Sequence, residues 1–142
     1  MPQLEYTRIL TFEDKKLFNL VLDIESYPEF LEECSAARII SKNETKIIAD
    51  LAIQFKGFEE KYRSEVTIAD NLIEARAISG PFKYLYNRWK FKKISNTETE
   101  IEFFIDFEFN NSLFSGIMNL IFQDSASKML LAFENRANSK LL

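Results

Sequence analysis

The sequence predicts an α+β fold: a seven-stranded antiparallel sheet curved around one long C-terminal helix, with two short helices between the first and second strands. Three observations carry this reading. Residues Ser112 to Asn138 hold Leu113, Phe114, Ile117, Met118, Ile121, Phe122, Met129, Leu130, Phe133 and Ala137 mostly at spacings of three, four and seven, the period of a helical face. Two late segments alternate between apolar and charged residues, the period of a half-buried strand. Finally, 14 phenylalanines against a single tryptophan supply wide, flat apolar surface, suited to a thick core or to the wall of a ligand site.

The elements follow in order. Leu4 to Phe12 alternates as a first strand. Glu13 and Asp14 precede Leu17, Phe18, Val21 and Leu22, a short amphipathic helix with acids at its N-terminus. Ser26-Tyr27-Pro28-Glu29-Phe30-Leu31 reads as a second short helix with Pro28 in its first turn. Ala36 to Ser41 and Lys46 to Phe55 flank the turn Lys42-Asn43-Glu44-Thr45, and Lys61 to Ala69 and Leu72 to Ser79 pair around Asp70-Asn71. Gly80-Pro81 breaks the chain before Tyr84 to Ile94, and Asn96-Thr97 turns it into Glu98 to Phe109. The terminal helix, capped by Asn110, Asn111 or Ser112, would be roughly 40 Å long and needs a broad apolar cover, which only the sheet can provide.

In the last two strands Trp89 and Phe91 oppose Arg88, Lys90 and Lys92, while Ile101, Phe103, Ile105, Phe107 and Phe109 oppose Glu100, Glu102, Asp106 and Glu108. One face is apolar; the other carries a basic stripe beside an acidic one. The stripes read first as ion pairs across strands, each worth at most about 1 kcal/mol. A second reading makes the basic stripe a contact for RNA or lipid headgroups.

At 142 residues the chain is one domain, 1–142, large enough to bury about 70% of its unfolded surface. Hydrophobic residues at 46% and charged ones at 28% define a globular chain. There is no histidine and one cysteine, so a Cys/His zinc site, a Ser-His or Cys-His nucleophile and an internal disulfide are excluded. Cys34 lacks a histidine to activate it. Asp106 and Glu108 alternate with inward phenylalanines and so face away from any interior acid/base site. The glycines stand alone at 57, 80 and 116, which excludes a Gly-rich phosphate loop. No apolar run reaches the roughly 20 residues of a membrane span, and Met1 to Tyr6 lacks the features of a signal peptide. The expected location is the cytoplasm. A net charge of −4 argues against wholesale binding to nucleic acid, and no DNA partner is expected.

Four stretches resemble a known family. They are Tyr27-Pro28-Glu29-Phe30-Leu31 with Cys34; Phe55-Lys56-Gly57-Phe58 followed by Tyr62, Ser64 and Val66; Gly80-Pro81-Phe82-Lys83 with Leu85, Trp89 and Phe91; and Ile105-Asp106-Phe107-Glu108-Phe109 running into the helix. In this order and spacing they resemble the helix-grip, or START-like, proteins, and in particular the coenzyme Q-binding START domains and their bacterial relatives, the polyketide cyclase/dehydrase-like or ribosome association toxin RatA proteins. The resemblance spans essentially the whole chain. One departure is Glu32-Glu33, where the family commonly has Pro-Trp before the cysteine. Two acids there would weaken an apolar contact at a pocket mouth or with an anionic membrane.

The resemblance implies two functions. The first is non-enzymatic binding of ubiquinone or a related polyprenyl quinone between sheet and helix, supporting respiration, with transient contact to the inner face of the membrane. Phe30, Phe58 and Phe82 would border the entrance; Phe55, Trp89, Phe107, Met118, Phe122 and Met129, with Leu31, would line the interior. Tyr27, Tyr62 or Tyr84 would hydrogen-bond a quinone carbonyl. No metal, catalytic residue or resident cofactor is expected. The second function is a toxin that binds the large ribosomal subunit and blocks subunit association, with Lys83, Arg88, Lys90 and Lys92 as contacts. A cyclase-type enzyme is a third reading, which would need a buried Asp, Glu or Tyr as base.

Overall fold

Strict alternation from Thr99 to Phe109 becomes strand β7 (Thr99–Phe109), in which every second residue is buried and the intervening ones are half-exposed. It lies between β1 (Gln3–Leu10) and β6 (Phe82–Lys93), in a sheet completed by β2 (Cys34–Lys42), β3 (Lys46–Phe55), β4 (Phe58–Ala69) and β5 (Leu72–Ser79). The computed structural model describes residues 3–55, 58–110 and 112–141; the side chains of 55, 58, 112–123 and 125 fall outside that description. The seven strands run in the order β1-β7-β6-β5-β4-β3-β2, each pair antiparallel, so the chain meanders from β2 to β7 and β1 closes the far edge.

Turns are where the sequence signals are sharpest. Asn71 adopts φ 50, the left-handed conformation that asparagine tolerates, between β4 and β5. Gly80 sits at φ 128, where a side chain would be strained. The Asn43 side chain accepts from the amides of Thr45 and Lys46 at 2.9 Å and closes the β2–β3 hairpin.

All helices lie on the inner face. Helix α1 (Asp14–Leu22) buries Leu17 and Val21, and its Phe18 ring meets Phe91 of β6 edge-on at 5.5 Å. The second short helix differs from expectation. It is a 3-10 helix, Ile24–Glu29, and Pro28 lies in its last turn, not its first. Buried Ile24 anchors the segment directly after α1, so the helix starts before Ser26, and the Phe30 and Leu31 amides close its end on the Tyr27 carbonyl at 3.2 and 2.8 Å. The first strand ends at Leu10 instead of Phe12, because the buried Thr99 hydroxyl donates to the Phe12 carbonyl at 2.8 Å and draws it out of the ladder. Helix α2 (Ser112–Lys140) spans 29 residues, and among its described side chains Ala126, Leu130, Phe133 and Ala137 are buried against the sheet. No described helix is long and apolar enough to cross a membrane.

Candidate functional site

The sheet's inner face and α2 do not close completely on each other. They leave a cavity of about 150 Å³, walled by β2 to β7, the first two helices and α2. Tyr27, Leu31, Tyr62, Phe82, Trp89 and Met129, six residues expected at a binding site, line it. Sheet and helix meet through rings: Trp89 and Phe133 centroids are 5.1 Å apart, and Phe133 is also edge-on to Tyr27 at 5.4 Å. Tyr62 packs against Phe82 at 5.5 Å, and Phe82 stacks on Phe109 at 4.7 Å.

Other expected residues lie elsewhere. Phe107 is fully buried, packed edge-on to Phe109 at 6.0 Å, and is not among the cavity-lining residues. Phe30 is half-buried outside the cavity, ring-on-ring with Phe133 at 5.0 Å and beneath the Arg136 guanidinium at 4.9 Å. Tyr84 is on the outer face of the sheet, beside Asp106, which corrects its assignment to the interior. A bulge between Phe82 and Tyr84 turns Phe82 and Leu85 both inward and leaves Tyr84 outside. The side chains of Phe55, Phe58, Met118 and Phe122 lie outside the described residues.

The expected tyrosine donors are reduced to one. The Tyr27 hydroxyl donates to the Val21 carbonyl, so its proton is spent within the protein, and Tyr84 faces away. Tyr62 remains. Burial raises the pKa of both Tyr27 and Tyr62 and keeps them neutral. Burial also pushes the Cys34 thiol up to about 11, so the cysteine lining the cavity is no thiolate nucleophile.

Two polar residues of the wall were not anticipated: Ser64 on β4 and Asn87 on β6. The signal for both is in the sequence. Counting by twos from Trp89 places Asn87 and Leu85 inside, and counting from Val66 places Ser64 and Tyr62 inside. Glu33 is the charged residue of the lining, and it also borders an open groove outside Leu31 and Met129. That groove, about 510 Å³, runs between α2 and the segment after the 3-10 helix and mixes Phe30 and Leu131 with Glu32, Lys128 and Arg136.

The opposite face of the sheet is covered by no helix among the described residues. Its charges are largely paired: Lys83 with Glu108 at 3.7 Å, Lys92 with Glu102 at 3.3 Å, and Arg63 bidentate on Asp50 at 2.7 and 3.0 Å. In its centre the Arg88 guanidinium lies 5.0 Å from the Phe104 ring centre, and Arg76 lies 4.6 Å from that of Tyr86. The two rings are 6.1 Å apart. Lys90 stands opposite Leu72 and Glu102 on the same face and is exposed.

A sheet gripping a C-terminal helix over an apolar cavity defines the START-like class of α+β proteins. The chain belongs to the polyketide cyclase / dehydrase and lipid transport family, whose sequence model matches residues 13–134. It is 49% identical to the ribosome association toxin RatA of Rickettsia prowazekii, over 96% of this chain and 97% of that protein. It is also 25% identical to the mitochondrial coenzyme Q-binding protein COQ10 homolog B of Xenopus laevis, over 95% of this chain and 58% of that protein. Among solved structures, a START superfamily protein from Mycobacterium smegmatis superposes with a TM-score of 0.85 at 16% identity, covering 96% of this chain and 97% of that one. The Zhui aromatase/cyclase from Streptomyces sp. R1128 gives 0.89 at 11% identity, covering 99% and 96%. At these identities the structures speak for the fold alone.

Proposed function

We propose that this chain is a non-enzymatic binding protein that acts on ribosome association by engaging the large ribosomal subunit and blocking subunit joining. Full-length similarity at 49% to a protein named for ribosome association supports this reading. The observation that carries it on the molecule is the uncovered outer face of the sheet, with Arg76 over Tyr86 and Arg88 over Phe104 at its centre. Arginine planes and aromatic rings on a sheet suit stacking against RNA bases. Lys83, Arg88, Lys90 and Lys92 surround this platform. Their pairs with Glu108 and Glu102 are solvent-exposed, worth at most about 1 kcal/mol each, and can be exchanged for phosphate contacts. The test is subunit joining in a sucrose gradient with added protein. Accumulation of free subunits is expected; unchanged joining at saturating protein would sink the proposal.

The cavity favours a second activity, binding of an apolar ligand. Similarity to a protein named as coenzyme Q-binding makes a polyprenyl quinone the candidate. The volume limits it: about 150 Å³ admits one ring, and the adjoining groove is too polar to shelter an isoprenoid tail. Full enclosure of a polyprenyl lipid is therefore the weaker role. Mass spectrometry of extracts from protein purified from its host tests it; no quinone or isoprenoid above a fold-disrupted control would count against it. Both readings place the working protein in the cytoplasm, the second with transient membrane contact.

A further inference from the structure

The open groove beside α2 differs in kind from the enclosed cavity. Its floor is apolar, with Phe30 and Leu31 on one bank and Met129, Leu131 and Ala132 of α2 on the other. Leu131 is 57% exposed there. At about 510 Å³ the groove has the size of a binding cleft. Its rim is charged and unbalanced. Both cations are already engaged: Lys128 lies 3.0 Å from Asp124, and Arg136 lies 2.8 Å from Glu29. Glu32 and Glu33 have no ion pair among the described residues. The lysine registers both of them, since its pKa is raised first by Asp124 and then by the charges of Glu33 and Glu32.

Two further features select the occupant. The acidic bank is held in place: Gln54 donates its side-chain amide to the Glu32 carbonyl at 3.0 Å and its backbone amide to the Glu33 carbonyl at 2.8 Å. Fixed carboxylates facing exposed apolar surface complement a chain that alternates cations with aliphatic side chains. The second feature is Arg136. One of its terminal nitrogens is engaged by Glu29 and its guanidinium lies 4.9 Å from the Phe30 ring centre, yet its Nε–H is buried and has no acceptor among the described residues. A buried donor without a partner is costly. A ligand carboxylate there would be repelled by Glu29, Glu32 and Glu33, whereas a neutral backbone carbonyl would not. Carbonyls are free in an extended segment; those of a helix are bonded within it. Asn135, also in the groove, offers both a donor and an acceptor to the same backbone. Glu32-Glu33 stands where the family commonly has Pro-Trp, so the acidic bank is this chain's own.

We propose that the groove between α2 and residues 30–33 is a docking site for an extended, cationic segment of a partner protein. Its lysines or arginines meet Glu32 and Glu33, its aliphatic side chains cover Leu131 and Met129, and one of its backbone carbonyls accepts from Arg136. The groove lies on the helix side of the sheet, so this docking is separate from any contact made by the outer face. A second copy of this chain is the competing occupant.

The experiment titrates the full chain with three capped hexapeptides, followed by amide chemical shifts. One alternates leucine with lysine, one leucine with glutamate, and one serine with lysine. The leucine–lysine peptide should shift amides at 30–33 and 128–139. It should bind about tenfold more tightly than either of the others, since two exposed ion pairs or one covered aliphatic side chain each supply about that factor. Added salt should weaken it. Glu32→Lys with Glu33→Lys should reverse the preference between the lysine and glutamate peptides. Leu131→Ser, at an exposed position, should weaken binding of the leucine–lysine peptide and leave the preference for lysine over glutamate intact. Binding of no peptide, or equal binding of the leucine–lysine and leucine–glutamate peptides, would overturn the proposal. So would shifts confined to the cavity or to the outer face, or an unchanged preference in the folded double variant. If the double variant does not fold, the choice the parent chain makes among the peptides decides. Shifts at the same residues that change on dilution without peptide would assign the groove to a second copy and overturn the proposal as well.

Discussion

Trp89 of β6 and Phe133 of α2 meet with ring centroids 5.1 Å apart and planes at 66°, the contact through which the sheet holds the helix at one end of the cavity. Both are nearly inaccessible, and Phe133 is also edge-on to Tyr27 and Phe30. Phe133→Ala should therefore cost about 3–5 kcal/mol, the range for truncating a buried phenylalanine whose neighbours cannot all collapse. Urea unfolding followed by far-UV circular dichroism checks this. A loss below about 1 kcal/mol would mean that α2 is held elsewhere.

Gly80 gives a second prediction. A Cβ there would lie 2.5 Å from Tyr62 Cβ and 3.0 Å from the Lys61 carbonyl oxygen, at a φ of 128. Gly80→Ala should destabilise by about 1–3 kcal/mol or more through backbone strain and should displace Tyr62 at the cavity wall. Thermal unfolding reads the first effect. Shifts of the Tyr62 ring resonances read the second.

Asp14 and Asn71 tie α1 to the β4–β5 turn. The Asn71 amide donates at 2.8 Å and holds the Asp14 carboxyl below the usual carboxylate value. A depressed folded-state pKa means that the ionised form is the stabilising one. Its contribution is complete above the unfolded value of about 3.9 and is lost as pH falls through the lowered one. The difference in thermal midpoint between the parent and Asp14→Ala should be constant from about pH 7 to about pH 5 and should shrink below about pH 4. A constant difference down to about pH 2 would contradict this.

Cys34 makes a reactivity prediction. Buried beside the cavity with its thiol raised to about 11, it is almost entirely protonated at neutral pH. Iodoacetamide at about pH 8 should label the native chain on the order of 100-fold more slowly than the urea-unfolded chain, where the thiol pKa returns to about 8.5. Similar rates would place the thiol at a solvent-open cavity mouth.

Much of this architecture is legible in the sequence because strands and turns are local. Period-two alternation along Thr99–Phe109 and the Asp70-Asn71 turn need no tertiary knowledge. Phase carries further than residue type: counting from Trp89 finds Asn87, whereas choosing tyrosines for their chemistry puts Tyr84 on the wrong face. What the chain does not spell out is long-range. The Thr99–Phe12 bond that shortens β1 and the bulge that turns Phe82 inward depend on partners distant in sequence. The cavity volume is set by how Trp89, Phe133 and Tyr62 pack together, which no pattern along a single strand encodes.

We propose that the outer face of the sheet engages the ribosome. This engagement is tested most directly by sucrose-gradient subunit joining with the parent chain and with Arg88→Glu/Lys90→Glu, whose fold is checked by circular dichroism. Both side chains lie on that face, away from the cavity. The account predicts that the parent chain leaves subunits unjoined, that the effect weakens as salt rises, and that the charge-reversed variant loses it. Unimpeded joining with the parent chain at saturation, or equal activity of the folded variant, would contradict it.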